Sequence, residues 1–346
     1  RVDHDNLSRT QRRSGIRGGI VLMTLKLRDL TLLDDGFESG HGLCAGCSES
    51  VIVRQVLLAL ANEPVVALAT GCLEVSSTRF PDTAWKVPLI HSAFENAATS
   101  ASGIEAAYKA LVRKGRMAER PMTFVVFGGD GATYDIGFQW LSGALERGHK
   151  FMYICLNNEG YMNTGIQRSG ATMLGAWTTT TPAGDLVPGK PQWRKDMTGI
   201  VASHGVPYVA QAAVHHWKDL MTKVRTAEKA EGPAFLNVFA PCDRGWRYEP
   251  EDTMAISRLA VETALWPLYE VDDGKYKLNG PRHKTRPIID YLESQGRFRH
   301  LLKDKEPGVI EEIQANVDRE WNRLRERCGL EPEVTPETTE AAVSAD

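Results

Sequence analysis

One acid and a pair of amides stand at a spacing that could hold a metal ion. Asp130 lies in the turn Gly128-Gly129-Asp130-Gly131, which follows the apolar, β-rich run 123–127. Asn157 and Asn158 close a second apolar run, 151–156, so Asn158 comes 28 residues after Asp130. Each run reads as a buried parallel strand. In an open α/β sheet, ligands gather outside the carboxyl ends of the strands, which would bring the two turns to one site. A carboxylate and an amide oxygen are hard donors that suit Mg²⁺, whose octahedral shell is usually completed by water and phosphate oxygens. Three glycines in four positions let the backbone come close to such a ligand.

A second set of residues points to softer chemistry. Cys44 and Cys47 form a Cys-x-x-Cys pair in a glycine-bearing loop, and on its own that pair would suit a metal, a redox disulfide or plain structure. Cys72 follows the strand-like run 65–69, and Cys242 follows the run 234–240. Both singles therefore fall on the sheet edge that carries Asp130 and Asn158. Four thiolates there would make a tetrahedral site, open to zinc or to an iron–sulfur cluster. Structural zinc more often takes two nearby pairs, and one pair joined to two distant singles favours [4Fe–4S]. Cys155, inside the second run, reads as a core thiol. Cys328 lies in a charged C-terminal segment and is assigned no role.

The elements that must position these residues follow from periodicity. Ile136, Trp140, Leu141, Ala144 and Leu145 fall at helical spacing and Gly148 supplies a stop. Ile52, Val53, Val56, Leu57 and Leu60 make the apolar face of a helix that begins just after Cys47, and a further helix is expected over 95–111. His91, ahead of it, would bond a cofactor or cap local backbone. Arg168 would face an anionic substrate or coenzyme A, or join an ion pair, and His215-His216 read as ordinary surface at the start of a helix. Strand, turn, helix and strand in this order predict an α/β fold with a mainly parallel sheet and helices on both faces.

Gly129-Asp130-Gly131 followed by Asn157-Asn158 resembles the binding signature of thiamine-diphosphate enzymes. The wider set is more specific: Cys44-Ala-Gly-Cys47-Ser-Glu49, Gly71-Cys72-Leu-Glu74, the run 80–88, His91-Ser-Ala-Phe94-Glu95-Asn96-Ala97, and Ala240-Pro-Cys242 with Gly245-Trp246. From about 36 to 246 this resembles the thiamine-diphosphate-binding β subunit of 2-oxoacid:ferredoxin oxidoreductases, most similar to the pyruvate type. The resemblance implies that Cys44, Cys47, Cys72 and Cys242 hold a [4Fe–4S] cluster. It implies that Asp130, Asn158 and the carbonyl of Gly160 hold Mg²⁺. The turn Gly129-Asp130-Gly131-Ala132 and the loop from Asn158 through Gly160 and Tyr161 to Asn163 would hold the diphosphate. Glu49 and Cys72 would lie against the cofactor, and Asn163 near the substrate, where it is the catalytic candidate.

The same resemblance implies oxidative decarboxylation of a 2-oxoacid, pyruvate or else an aromatic or branched one, to acyl-CoA and CO₂. Electrons would pass through the cluster to ferredoxin or another acceptor, with coenzyme A as co-substrate. The expected partners are α, γ and ferredoxin-like δ subunits. In this family the carboxylate that serves the cofactor's aminopyrimidine sits on a partner subunit or domain, which makes this chain half of an active site. Two rival functions are a zinc-stabilised scaffold without thiamine and an electron-transfer module that carries the cluster alone; Asp130, Asn158 and Asn163 argue against both.

At 346 residues with 42% apolar content, the chain can build one large or two ordinary domains. A net charge of −3 and a pI near 6.4 argue against nucleic-acid or membrane-surface binding. No apolar run is long enough to span a bilayer, and a cytoplasmic protein is expected. The expected division is an N-terminal arm over 1–30, the cofactor and cluster domain over 31–250, a helical C-terminal extension over 251–330 and an acidic, mobile tail over 331–346. In the extension, Val309, Ile313, Val317, Trp321 and Leu324 form an apolar stripe that must pack on this chain or a partner.

Overall fold

A computed structural model describes residues 26–184, 186–303 and 307–333. Residues 1–25 of the expected arm over 1–30, and most of the acidic tail, lie outside the described residues.

The apolar runs form strands β1 (Glu63–Ala69), β2 (Leu89–Ser92), β3 (Met122–Gly129), β4 (Met152–Asn157), β5 (Tyr208–Ala213) and β6 (Ala234–Phe239). Two later strands, β7 (Tyr269–Asp272) and β8 (Lys275–Leu278), complete an eight-stranded sheet of order β2-β1-β3-β4-β6-β5-β7-β8. Strands β1 to β6 are parallel, while β7 and β8 add on antiparallel beside β5. The fold is the α/β architecture expected from the strand–turn–helix order.

Successive side chains of a strand point to opposite faces, and both faces here are covered. Val66, Leu68, Val125, Phe127, Met152, Ile154 and Leu156 face one core. Ala67, Ala69, Phe124, Val126, Tyr153 and Cys155 face the other, so Cys155 is indeed a core thiol. The first core is closed by helices α1 (Ser48–Ala59) and, further on, Trp217–Lys229. Between β1 and β2 runs the short α2 (Cys72–Ser77), and α3 (Ala97–Arg113) and α4 (Phe138–Glu146) close the second core.

The start of α4 departs from simple periodicity. A π-helical turn, Gly131–Asp135, precedes it, and the extra residue in that turn rotates the helix behind it. Leu141, Ala144 and Leu145 are buried as expected, but Ile136 and Trp140 point outward at 52% and 41% exposure. They lie on a face that the described residues do not cover.

The C-terminal extension corrects the expectation of a purely helical piece, because β7 and β8 come from it. Its helices α8 (Thr253–Glu262), α9 (Ile288–Glu293) and α10 (Pro307–Arg327) follow α5 (Met197–Ala202), α6 (Trp217–Lys229) and the one-turn α7 (Asp243–Trp246). The apolar stripe of α10 packs on this chain: Ile313, Val317, Trp321 and Leu324 are buried in the second core. Each such side chain contributes about 1.5–3 kcal/mol by leaving water. Gly329, at φ 70°, ends the helix by letting the Leu330 amide turn back to the Arg325 carbonyl, 2.8 Å away. His215 is half-buried, with Nδ1 2.9 Å from Ser257 Oγ, so it is not the surface residue its neighbours suggest.

Candidate functional site

Strand order reverses direction at β1. The chain leaves β1 for β2 on one side, whereas β3 and β4 build out on the other. Such a switch point opens a crevice at the carboxyl ends of the strands. A cleft of about 140 Å³ lies there, walled by residues 68–73 at the end of β1 and beyond, 127–131 at the end of β3, and Asn158 with 160–164 after β4. Glu49 of α1 and Phe94 complete the wall.

The glycines of the β3 turn are demanded by close approach. A Cβ on Gly131 would lie 2.2 Å from the Tyr161 ring, and one on Gly128 would lie 2.3 Å from the Tyr153 hydroxyl. Gly129 has no neighbour within 4 Å of such a position, which leaves its backbone open to the cleft. Ala132 is buried in the π turn behind it.

Asp130 is fully buried. Its Oδ1 accepts from the Asn158 amide at 3.3 Å and its Oδ2 accepts from Ser169 Oγ at 2.5 Å. Asn158 Nδ2 donates to Glu49 Oε1 at 3.0 Å. Asn158 Oδ1 and Glu49 Oε2 are buried without a hydrogen-bond partner. Unsatisfied buried oxygens of this kind are rare and call for a ligand or ion. Asn157 serves the loop itself. It donates to the Tyr134 hydroxyl at 2.8 Å and accepts from the Glu159 amide at 3.1 Å, and it does not face the cleft. Gly160 is buried, Tyr161 donates to Asp135 Oδ2 at 2.8 Å, and Asn163 stands exposed on the rim.

Burial shapes the acids. It raises the Asp130 carboxyl to about 8 against the opposing hydrogen bond from Ser169, and raises Glu49 to about 7 against the bond from Asn158. In the unfolded chain both groups would ionise near pH 4. Between pH 4 and 7–8 the folded, cofactor-free protein therefore holds protons that the unfolded chain releases, so stability falls as pH rises through this window. Thermal unfolding of the cofactor-free protein is expected to shift to lower temperature from pH 5.5 to 8.5, by less in Asp130→Ala. An equal slope in both proteins would refute the assignment.

The four cysteines gather on the same edge. Cys44 is exposed; Cys47, Cys72 and Cys242 are half-buried. Cys47 precedes α1, Cys72 opens α2 and Cys242 precedes α7. Each thiol lies within electrostatic reach of the other three. Burial first, and the Glu49 charge next, push Cys47 and Cys72 well up, and burial raises Cys242 to about 12 despite the Gly245 amide at 3.3 Å from its sulfur. Among the described residues, no three His, Cys, Asp or Glu side chains are grouped closely enough to hold a metal ion. The Ser48 hydroxyl donates to the Pro241 carbonyl at 2.9 Å and ties the first pair to the Cys242 loop.

Ser169 and Tyr134 carry no motif and were invisible in the sequence, although Ser169 makes the shortest contact to Asp130. Only the path of the loop after β4 brings it there.

A glycine turn with a buried acid after one strand and an amide after the next, set at a switch point, defines a diphosphate-binding domain of the thiamine type. Residues 69–238 match the family described as thiamine pyrophosphate enzyme, C-terminal TPP binding domain. Pyruvate synthase subunit PorB of Thermotoga maritima is 50% identical over 84% of this chain and 91% of its own length. The corresponding subunit of Methanocaldococcus jannaschii is 49% identical over 86% of this chain and 96% of its own. Ketoisovalerate oxidoreductase subunit VorB of Pyrococcus abyssi is 43% identical over 86% and 95%. The chain belongs to this family, the thiamine-diphosphate-binding β subunits of 2-oxoacid oxidoreductases. Among the described residues, no helix is long and apolar enough to cross a membrane.

Proposed function

We propose that this chain supplies the thiamine-diphosphate, Mg²⁺ and [4Fe–4S] half of a 2-oxoacid:acceptor oxidoreductase, with pyruvate as substrate. The observation that carries it is the meeting of Asp130, the unpartnered Asn158 Oδ1 and the Cys72 thiol in one cleft, with Cys44, Cys47 and Cys242 within electrostatic reach of Cys72. Asp130, Asn158 Oδ1 and the carbonyl of Gly160 hold Mg²⁺. The turn Gly129–Ala132 and the loop from Asn158 to Asn163 receive the diphosphate. Glu49 and Cys72 line the cofactor's inner side and Asn163 meets substrate at the rim.

When bound, thiamine diphosphate supplies the nucleophilic carbon and electron sink for decarboxylation, and the cluster takes electrons singly. The chain's own residues position and exclude water. Asp130 would have to release its proton to hold Mg²⁺, so metal affinity is expected to rise with pH up to about 8. Cys44, Cys47, Cys72 and Cys242 would hold the cluster as thiolates, giving up their protons to do so. The acyl group leaves on coenzyme A, and electrons leave to ferredoxin or another acceptor. Subunits of α, γ and ferredoxin-like δ type complete the complex. A branched 2-oxoacid is the second reading, favoured by the 43% identity to ketoisovalerate oxidoreductase subunit VorB.

The complex purified anaerobically is expected to be brown, with about four iron and four sulfide per copy of this chain beyond those of its partners. Steady-state rates on a panel of 2-oxoacids should rank pyruvate first. Stoichiometric zinc without labile sulfide would sink the cluster assignment, and a branched 2-oxoacid ranked first would transfer the substrate to the second reading.

A further inference from the structure

We infer that Arg297, in the C-terminal extension, is a positioning residue that braces the Asn158–Gly160 turn by two separate routes. The inference rests on the metal reading of that turn and gives the extension a role in it.

Asn158 and Gly160 line the cleft, but Glu159 between them does not. Its backbone sits at φ 61°, a left-handed conformation that costs a residue with a Cβ and needs outside support. Its side chain is fully buried behind the cleft, where Oε2 lies 2.7 Å from Arg297 Nη2 and Oε1 3.5 Å from Arg194 Nη1. Neither oxygen has an aligned hydrogen bond, so opposing charge holds the carboxylate. This is the first route: a buried acid that cannot leave its two cations without large cost. The Glu159 carbonyl also accepts from Thr172 Oγ1 at 2.6 Å.

The second route reaches Asn158 itself. The Arg297 guanidinium lies 3.8 Å from the ring centre of Trp246, and the Trp246 indole N–H donates to the Asn158 carbonyl at 2.8 Å. Trp246 closes the short helix that follows Cys242. One guanidinium therefore touches both the turn that carries Asn158 and the segment that carries a cluster thiol. Arg297 is itself held: its Nε donates to Gln295 Oε1 at 2.8 Å and its Nη2 donates to the Tyr291 hydroxyl at 3.0 Å. Arg194 extends the brace to α10, with Nη2 3.8 Å from Glu320. Groups that orient metal ligands from behind commonly alter metal affinity about 10–100-fold when removed.

The test uses the assembled complex, stripped of Mg²⁺ and thiamine diphosphate and titrated by calorimetry with Mg²⁺ at fixed thiamine diphosphate. Arg297→Met is expected to raise the Mg²⁺ concentration for half-saturation about 10–100-fold. Arg297→Lys keeps the charge beside Glu159 and should recover part of the loss. Trp246→Phe keeps a ring under the guanidinium but loses the donor to Asn158, and should give a smaller rise. Excess Mg²⁺ should restore kcat in each, which a general loss of structure would not allow. Half-saturation within about twofold of the parent in a folded Arg297→Met protein would overturn the inference. If that variant fails to assemble, unchanged half-saturation in both Arg297→Lys and Trp246→Phe overturns it equally. Asp130→Ala run alongside separates the two failures: undisturbed Mg²⁺ binding there would remove the metal reading, whereas lost binding there with unmoved Arg297 variants would remove only the brace.

Discussion

Asp130→Ala is expected to lose Mg²⁺-dependent thiamine diphosphate binding by more than about 100-fold, since removing a ligand should exceed the effect of removing its support. The side chain is aimed between the β3 turn and the Asn158 loop, fully buried, and raised by that burial to about 8. At neutral pH the cofactor-free protein thus keeps it largely protonated, and only a divalent cation repays the cost of its charge. Alanine removes that charge together with two hydrogen bonds, those from the Asn158 amide and the Ser169 hydroxyl. Each donor left unpaired costs about 1–3 kcal/mol, but no buried carboxyl remains to be accommodated, so the fold should survive. Iron and sulfide content should be unchanged, because the two Asp130 oxygens bond to Asn158 and Ser169 and to none of the four cysteines proposed to hold the cluster. Calorimetry with thiamine diphosphate and Mg²⁺ measures the effect. Affinity equal to that of the parent protein would mean that the site has been misplaced.

The chain on its own, loaded with thiamine diphosphate, Mg²⁺ and cluster, should not turn over a 2-oxoacid at a useful rate. Among the described residues, only two acids line the cleft, Asp130 and Glu49. The first is committed to the metal, and the second is bonded through Oε1 to Asn158. Only Glu49 Oε2 is left unpartnered, and the bond to Asn158 fixes the orientation of that carboxylate, so the group that serves the aminopyrimidine is expected from a partner. General acid–base assistance typically contributes about 10²–10⁴-fold, and the open rim at Asn163 forfeits orientation as well. Activity should therefore fall about 10³-fold or more below the assembled complex and return when the partner subunit is added. Gel filtration establishes freedom from partners before the assay. Full activity in that fraction would place the missing carboxylate on this chain.

Much of the site was legible because strand ends in a parallel sheet obey a rule. Asp130 and Asn158 each follow an apolar run, and the rule that ligands collect at carboxyl ends brings them together without further information. The same rule set Cys72 after β1 and Cys242 after β6, but not Cys44 and Cys47, whose loop precedes every strand of the sheet. The hidden part depends on long-range packing. Ser169 reaches Asp130, and Arg297 reaches Glu159, through loops whose paths no periodicity encodes. Ile136 and Trp140 were misread because one extra residue in the π turn rotates the helix behind it. The strands β7 and β8 were hidden because each is only four residues long, inside a segment expected to be helical.

Those two strands decide how the sheet meets other proteins. A parallel sheet that ended at β5 would expose a long row of unpaired amides and carbonyls to any passing chain, the usual seed of aggregation. Here the border is moved outward to β8, only four residues long and carrying Lys275 and Lys277, and the opposite border, β2, is equally short. An incoming strand at β8 would have to lay its backbone beside two ammonium groups for the sake of four residues of ladder. Among the described residues both borders of the sheet thus offer little ladder to a further strand, whether from a copy of this chain or from another protein.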